Sequence, residues 1–105
     1  MQNFLFNIIK DLSQRHIDFV VCGGVACILQ GCERTTLDII DIFLTYPIEY
    51  SELKKNSDLF DIGGIKFHVS SKSDLIKAKR LVDPIRNKDL EDIKSLETLL
   101  EQKEN

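Results

Sequence analysis

The sequence predicts one α/β domain of the α+β kind, and three local patterns carry that expectation. Apolar residues recur at helical spacing at both ends of the chain, over residues 2–15 and again over 87–100. A short run rich in β-branched residues, Phe19 to Cys22, ends in Gly23-Gly24, which marks a buried strand meeting a tight turn. A second glycine pair, Gly63-Gly64, separates two alternating runs in the manner of a β-hairpin.

Composition sets the outer limits. At 105 residues, with 43% hydrophobic and 30% charged, the chain is an ordinary globular domain able to build a core without metal or disulfide staples. A net charge of −3 argues against broad electrostatic capture of nucleic acid, leaving only a local basic patch for such a partner. The apolar runs fall short of a membrane span, and the start lacks the pattern of a signal peptide, so the expected location is cytoplasmic.

The elements follow in order. Phe4, Leu5, Ile8, Ile9 and Leu12 make one face of a first helix. His16 and Asp18 fall at the turn into the strand 19–22, where a lone histidine reads as a surface residue. Val25 to Gln30 gives one or two helical turns, and Gly31 is their expected C′ residue. Leu37 to Leu44 is apolar except for Asp38 and Asp41, as a strand covered on both faces would be. Tyr46-Pro47 ends it, and 49–56 is a short polar helix or turn. The hairpin strands are Asp58 to Ile62 and Ile65 to Val69, with His68 partly exposed on the face opposite Phe67. Ser71 and Asp74 form a capping box for a helix to about Leu81, which Asp83-Pro84 breaks. Asn87 caps a last helix whose stripe is Leu90, Ile93, Leu96, Leu99 and Leu100, and the tail from Glu101 is polar. Nothing marks a repeat, a linker or a second domain.

Cys22, Cys27 and Cys32 recur every five residues, which is not a zinc-ligand spacing. Their odd number, without an export signal, predicts free thiols. Cys22 and Cys27 read as small buried hydrophobes, while Cys32 lies beside the candidate site.

A glycine turn feeding a helix N-terminus leaves backbone N–H groups free for an anion, although glycine is also the ordinary turn residue. Asp38 and Asp41 follow on a strand able to bring carboxylates to a divalent cation, and that combination is the plan of metal-dependent phosphoryl chemistry. Lys77, Lys79, Arg80, Arg86 and Lys88 gather at the last helix–helix connection. As a bare charge run they read as a solvated face, with Asp83 and Asp89 balancing part of it.

The order Gly23-Gly24, Ala26, Gly31, Arg34, Thr36, Asp38, then Asp74-Leu75-Ile76 with Lys79, then Arg86, Lys88-Asp89-Leu90 and Asp92-Ile93 resembles the small prokaryotic nucleotidyltransferase-fold proteins. The resemblance spans most of the chain. It implies a mixed sheet flanked by helices and Mg²⁺-dependent transfer of a nucleotide from a nucleoside triphosphate. Carried over, Gly23 and Gly24 cradle phosphate, Asp38 and Asp41 act catalytically and ligate Mg²⁺, and Arg34, Thr36, Lys79 and Arg86 contact the nucleotide.

One departure matters. The family begins its carboxylate strand with Asp-x-Asp, but Ile40 stands two after Asp38. Residues 40–45 look like the family's later carboxylate strand joined directly to the first, so a deletion between Ile39 and Ile40 explains more than a substitution at Ile40. Asp38 and Asp41 are three apart, and a regular strand sends them to opposite faces unless a bulge re-aims one. Three readings follow: an active nucleotidyltransferase, a shortened and catalytically impaired relative, and a non-enzymatic interaction module. The last two are compatible. A shortened sheet that exposes Ile39, Ile42 or Leu44, or a free edge beside them, predicts a two-fold homodimer.

Overall fold

Local chemistry decides where each element of this α+β fold starts and stops. The computed structural model describes residues 2–32, 46–81 and 87–104. The strand expected over 37–44 lies outside the described residues, as do Arg34, Thr36, Asp38, Asp41 and Arg86. In chain order the elements are α1 (Gln2–Gln14), β1 (Val20–Val21), α2 (Gly23–Leu29), α3 (Tyr50–Asn56), β2 (Asp58–Ile62), β3 (Ile65–Val69), α4 (Lys72–Arg80) and α5 (Asn87–Glu104).

Helices α1 and α2 end in the same way. At α1, His16 takes a left-handed conformation (φ 57°), and the N–H groups of Ile17 and His16 return to the carbonyls of Leu12 and Ser13 at 3.0 and 3.1 Å. At α2, Gly31 does so (φ 110°), and the N–H groups of Cys32 and Gly31 reach the carbonyls of Cys27 and Ile28 at 2.9 and 3.0 Å. Both are Schellman closures, in which the side chain just past the left-handed residue folds back over the one five before it. In most proteins that contact is between two apolar groups. Here the pair is Cys27 and Cys32, and they form a disulfide with Cα atoms 5.3 Å apart. The expectation of three free thiols is therefore corrected. Burial was anticipated for Cys27, but the cap geometry brings Cys32 onto it. Cys22 stays a free thiol.

The sheet has the order β1-β3-β2. Central β3 pairs parallel with β1 and antiparallel with β2, so the sheet is mixed. Gly63 and Gly64 both have positive φ, 60° and 83°, and make the two-residue turn expected of the sequence. The Asp61 carboxylate accepts the Gly64 N–H at 3.1 Å and closes that turn.

Register divides the two faces. Phe60 opposite Phe67 and Ile62 opposite Ile65 share one face with Val69. That face meets Ile9 of α1, Ala26 and Cys27 of α2, Leu75 and Ile76 of α4, and Ile93 and Leu96 of α5 in the main core. Burying a side chain such as Leu75 or Leu96 contributes roughly 1.5–3 kcal/mol each. The other face carries Val20, which packs with Tyr46, Ile48, Leu53 of α3 and Ala78 of α4 in a smaller cluster. Farther along this face Leu59, Asp61 and Lys66 are exposed. Among the described residues β2 pairs only with β3, and Asp58 and Asp61 on it discourage indiscriminate edge pairing.

Helix α4 begins as the capping box predicts: Ser71 is the N-cap, and its hydroxyl accepts the Asp74 N–H at 3.1 Å. The described helices carry no segment long and apolar enough to cross a membrane.

The disulfide closes a short ring, with a sequence separation of 5. Replacing both cysteines, Cys27→Ser with Cys32→Ser, is expected to cost about 2 kcal/mol, the chain-entropy value for so small a loop. Urea unfolding of the wild type with and without a dithiol reductant should show the same loss, and unchanged midpoints in both comparisons would count against the bond.

Candidate functional site

Strands β1 and β3 run parallel, and each leads directly into a helix, α2 and α4, at its carboxyl end. Ligands of open α/β sheets bind at such ends. The Ser70 N–H continues the ladder to the Val21 carbonyl at 2.8 Å, which brings Ser70 level with Cys22. Cys22 is extended (φ −137°, ψ −176°) and caps α2 without a side-chain hydrogen bond to it. The helix then starts at Gly23 itself, two residues earlier than the sequence suggests, because Gly23 makes the whole turn with φ 73°. Among the described residues, a Cβ placed on Gly23 would meet nothing within 4 Å.

Cys22, Tyr46, Asn56, Ser70 and Asp74 border this end, and the sequence did not mark them as members of one site. The Tyr46 hydroxyl bonds the Cys22 sulfur. Burial pushes the Cys22 thiol up, and the Tyr46 hydrogen bond offsets that only in part, so the group is a thiol and a poor nucleophile. Burial also pushes the Tyr46 phenol well above its ordinary value, and the nearby Cys22 and Asp74 reinforce this. Asp74 is buried, and its carboxylate accepts from the Asn56 amide at 3.3 Å. Ser70 is fully buried, and its hydroxyl has no hydrogen-bond partner among the described residues. A sequence signal existed only for Asp74, as the third residue of the capping box. Among the described residues, no three His, Cys, Asp or Glu side chains converge as a metal site.

Of the site residues expected from the sequence, Gly23 and Gly24 are thus at the turn, and Lys79 is elsewhere. Lys79 lies in α4 with 9% of its surface exposed, and its ammonium sits 2.9 Å from Asp92 and 3.8 Å from Asp89. Those carboxylates are three apart on one side of α5 and are themselves buried, at 1% for Asp89 and 4% for Asp92. The solvated-face expectation is corrected for Lys79 and Asp89, which sit on the seam between α4 and α5. It holds for Lys77 and Arg80, which are exposed. The physical reason is the stripe of α5: Asp89 and Asp92 lie one turn from the buried Ile93 and Leu96 and enter the same interface.

A second group of side chains invites a catalytic reading and does not support one. Ser57, His68 and Asp18 lie near one another, but the Ser57 hydroxyl gives its proton to the Lys54 carbonyl at 2.6 Å. Its contact with His68 Nδ1, at 3.0 Å, is therefore accepted from an Nδ1–H. A serine nucleophile needs the reverse, with its proton directed at the imidazole. Asp18 is engaged too: the Lys54 ammonium, 2.6 Å away, and the Tyr50 hydroxyl hold its carboxyl below the usual range.

If Lys79 serves packing, Lys79→Met should destabilise the fold by on the order of 3 kcal/mol, because two buried carboxylates lose a cation. Equilibrium urea unfolding reads this directly. A variant of unchanged stability would return Lys79 to the list of ligand contacts.

No protein-family model, curated protein or solved structure matches the chain.

Proposed function

We propose that this chain is a nucleotidyltransferase-like domain, shortened and catalytically impaired, that retains weak binding of a nucleoside triphosphate. The observation that carries the reading is the β1–Gly23–α2 turn at the carboxyl end of two parallel strands, where no described residue comes within 4 Å of a Cβ placed on Gly23. Phosphate placed there would meet the first amides of α2. Binding is expected to be weak, since α2 has only seven residues and the anion would be held by backbone donors alone.

Impairment rests on two points. Asp38 and Asp41 are spaced for opposite faces of a regular strand, which leaves one carboxylate for a Mg²⁺ ion where two-metal transfer needs several oxygens. Lys79, which the resemblance gives to the nucleotide, is held by Asp89 and Asp92. Arg34, Thr36 and Arg86 complete the proposed nucleotide contacts. In this reading the protein acts in the cytoplasm as a homodimeric interaction or regulatory module, and the apolar sequence around Ile39, Ile42 and Leu44 is the candidate for a two-fold contact.

A transfer assay with each of the four labelled nucleoside triphosphates, titrated with Mg²⁺, is expected to give slow transfer or none. Ile40→Asp should raise metal affinity more than turnover. Robust wild-type transfer that Asp38→Ala abolishes would overturn the impaired reading.

Assembly is tested separately by light scattering over a dilution series. The expected mass is twice 12.1 kDa. A monomer that persists at high concentration would remove the dimer and leave the binding proposal standing.

A further inference from the structure

The closure of α2 puts a disulfide, a left-handed glycine and a buried amide into one short ring. Cys27 and Cys32 bound it at a sequence separation of 5, and Gln30 and Gly31 lie inside it. The ring touches β2, β3, α4 and α5. Through Gln30 it holds Asp58 at 2.8 Å, the Ser70 carbonyl at 2.9 Å and Lys72 at 3.2 Å. Through Gly31 it is seated on α5, since a Cβ placed on that glycine would lie 3.5 Å from Leu99 Cδ1 and Cδ2.

The two sulfurs do not need the bond in order to meet. The Cys32 N–H reaches the Cys27 carbonyl at 2.9 Å and the Gly31 N–H reaches that of Ile28 at 3.0 Å, so backbone hydrogen bonds already bring the side chains together. Both belong to the main core, Cys27 at 0% and Cys32 at 7% exposure. Two thiols suit the same places, because free cysteine packs as a small hydrophobe. The dithiol chain therefore keeps the fold, and what it loses is the covalent limit on opening of the cap.

Closing so short a ring restricts the unfolded chain by only about thirtyfold, against on the order of a thousandfold for a loop of about 100 residues. A bond that gains so little from the fold stays within reach of the thiols around it. Cys22 stands outside the couple. It caps the opposite end of α2 and bonds Tyr46, and burial pushes its thiol up, so it supplies little thiolate to attack the bond.

We propose that Cys27 and Cys32 are a reversible redox switch. As a disulfide they lock the end of α2 onto the hairpin, α4 and α5, and as thiols they let that end loosen while the domain stays folded. The reductant is a small thiol of the glutathione class. When the cap frays, its thiolate attacks the sulfur of Cys32, the less buried of the two. The S–S bond breaks, and Cys27 leaves as a thiolate that takes up a proton. A second thiol then resolves the mixed disulfide. The protein gains two electrons and two protons, two reductant thiols become one disulfide, and glutathione disulfide drives both steps in reverse. In the cytoplasmic location proposed above, disulfides are mostly transient or redox-sensing, which agrees with a switch. The couple itself depends neither on that location nor on nucleotide binding.

The test equilibrates the full chain in buffers of graded glutathione to glutathione disulfide ratio, quenches by alkylation and reads the labels by mass spectrometry. Labels are expected on Cys27 and Cys32 together, in one reversible transition, and Cys22→Ser should show the same transition. ¹⁵N relaxation of the two end states should then find the order parameters of Gln30, Gly31 and Cys32 falling on reduction from about 0.85 towards about 0.6. The amide shifts of Phe67, Val69 and Leu96 should stay native in both states. The proposal is overturned if the bond does not form in the oxidising buffers, if it resists reduction in the folded chain, or if the transition needs Cys22. It is equally overturned if reduction erases the native shifts across β3, or if the order parameters of the cap are the same in both states.

Discussion

The side chain of Gln30 occupies the end of α2 with its amide buried between three other elements. Its nitrogen donates to Asp58 of β2 at 2.8 Å and to the Ser70 carbonyl at the end of β3 at 2.9 Å, while its oxygen accepts from Lys72 of α4 at 3.2 Å. A buried amide left without partners costs roughly 1–3 kcal/mol, so α2 has one favourable position relative to the hairpin and to α4. The same few residues close the helix: the Gln30 N–H returns to Ala26, Gly31 turns left-handed, and the Cys27–Cys32 bond seals the cap. In a domain with only three short described strands, apolar burial alone specifies relative placement loosely. The polar hub and the covalent cap make it specific.

A consequence is that the two ends of the sheet differ in kind. The carboxyl end of β1 and β3 is walled by Cys22, Tyr46, Asp74 and Asn56, whose polar atoms largely bond one another, beside the backbone of the glycine turn. The end of α1 beside β3 is built from side chains instead, with Asp18 paired to Lys54, His68 bonded to Ser57 and the buried Ser13 hydroxyl without a partner among the described residues.

The residues that carry the family resemblance divide in the same way. Gly23 and Gly31 set backbone direction through positive φ. Asp74 gives its N–H to the Ser71 cap and its buried carboxylate accepts from Asn56, and Lys79, Asp89 and Asp92 form a charged seam between α4 and α5. A motif residue can thus serve the scaffold, and a likeness of motif alone does not assign an activity.

Sequence by itself determined the local structure, because the forces that set it act within a few residues. The Gly63-Gly64 hairpin, the Ser71–Asp74 cap, the amphipathic first and last helices and the Gly31 C′ position all follow from backbone preference and short-range hydrogen bonds. Tertiary structure alone decided which side chains meet. Cys27 and Cys32 become partners only once Gly31 reverses the chain, although the glycine between them was a legible hint. Asp89 looked like a surface charge until α4 brought Lys79 against it and Asp92. The glycine turn of the candidate site was legible as a local feature. The walls of that site were not, because Tyr46, Asn56 and Asp74 lie apart in the chain. Proximity of that kind is fixed by how packed layers settle on one another, which no short window of sequence encodes.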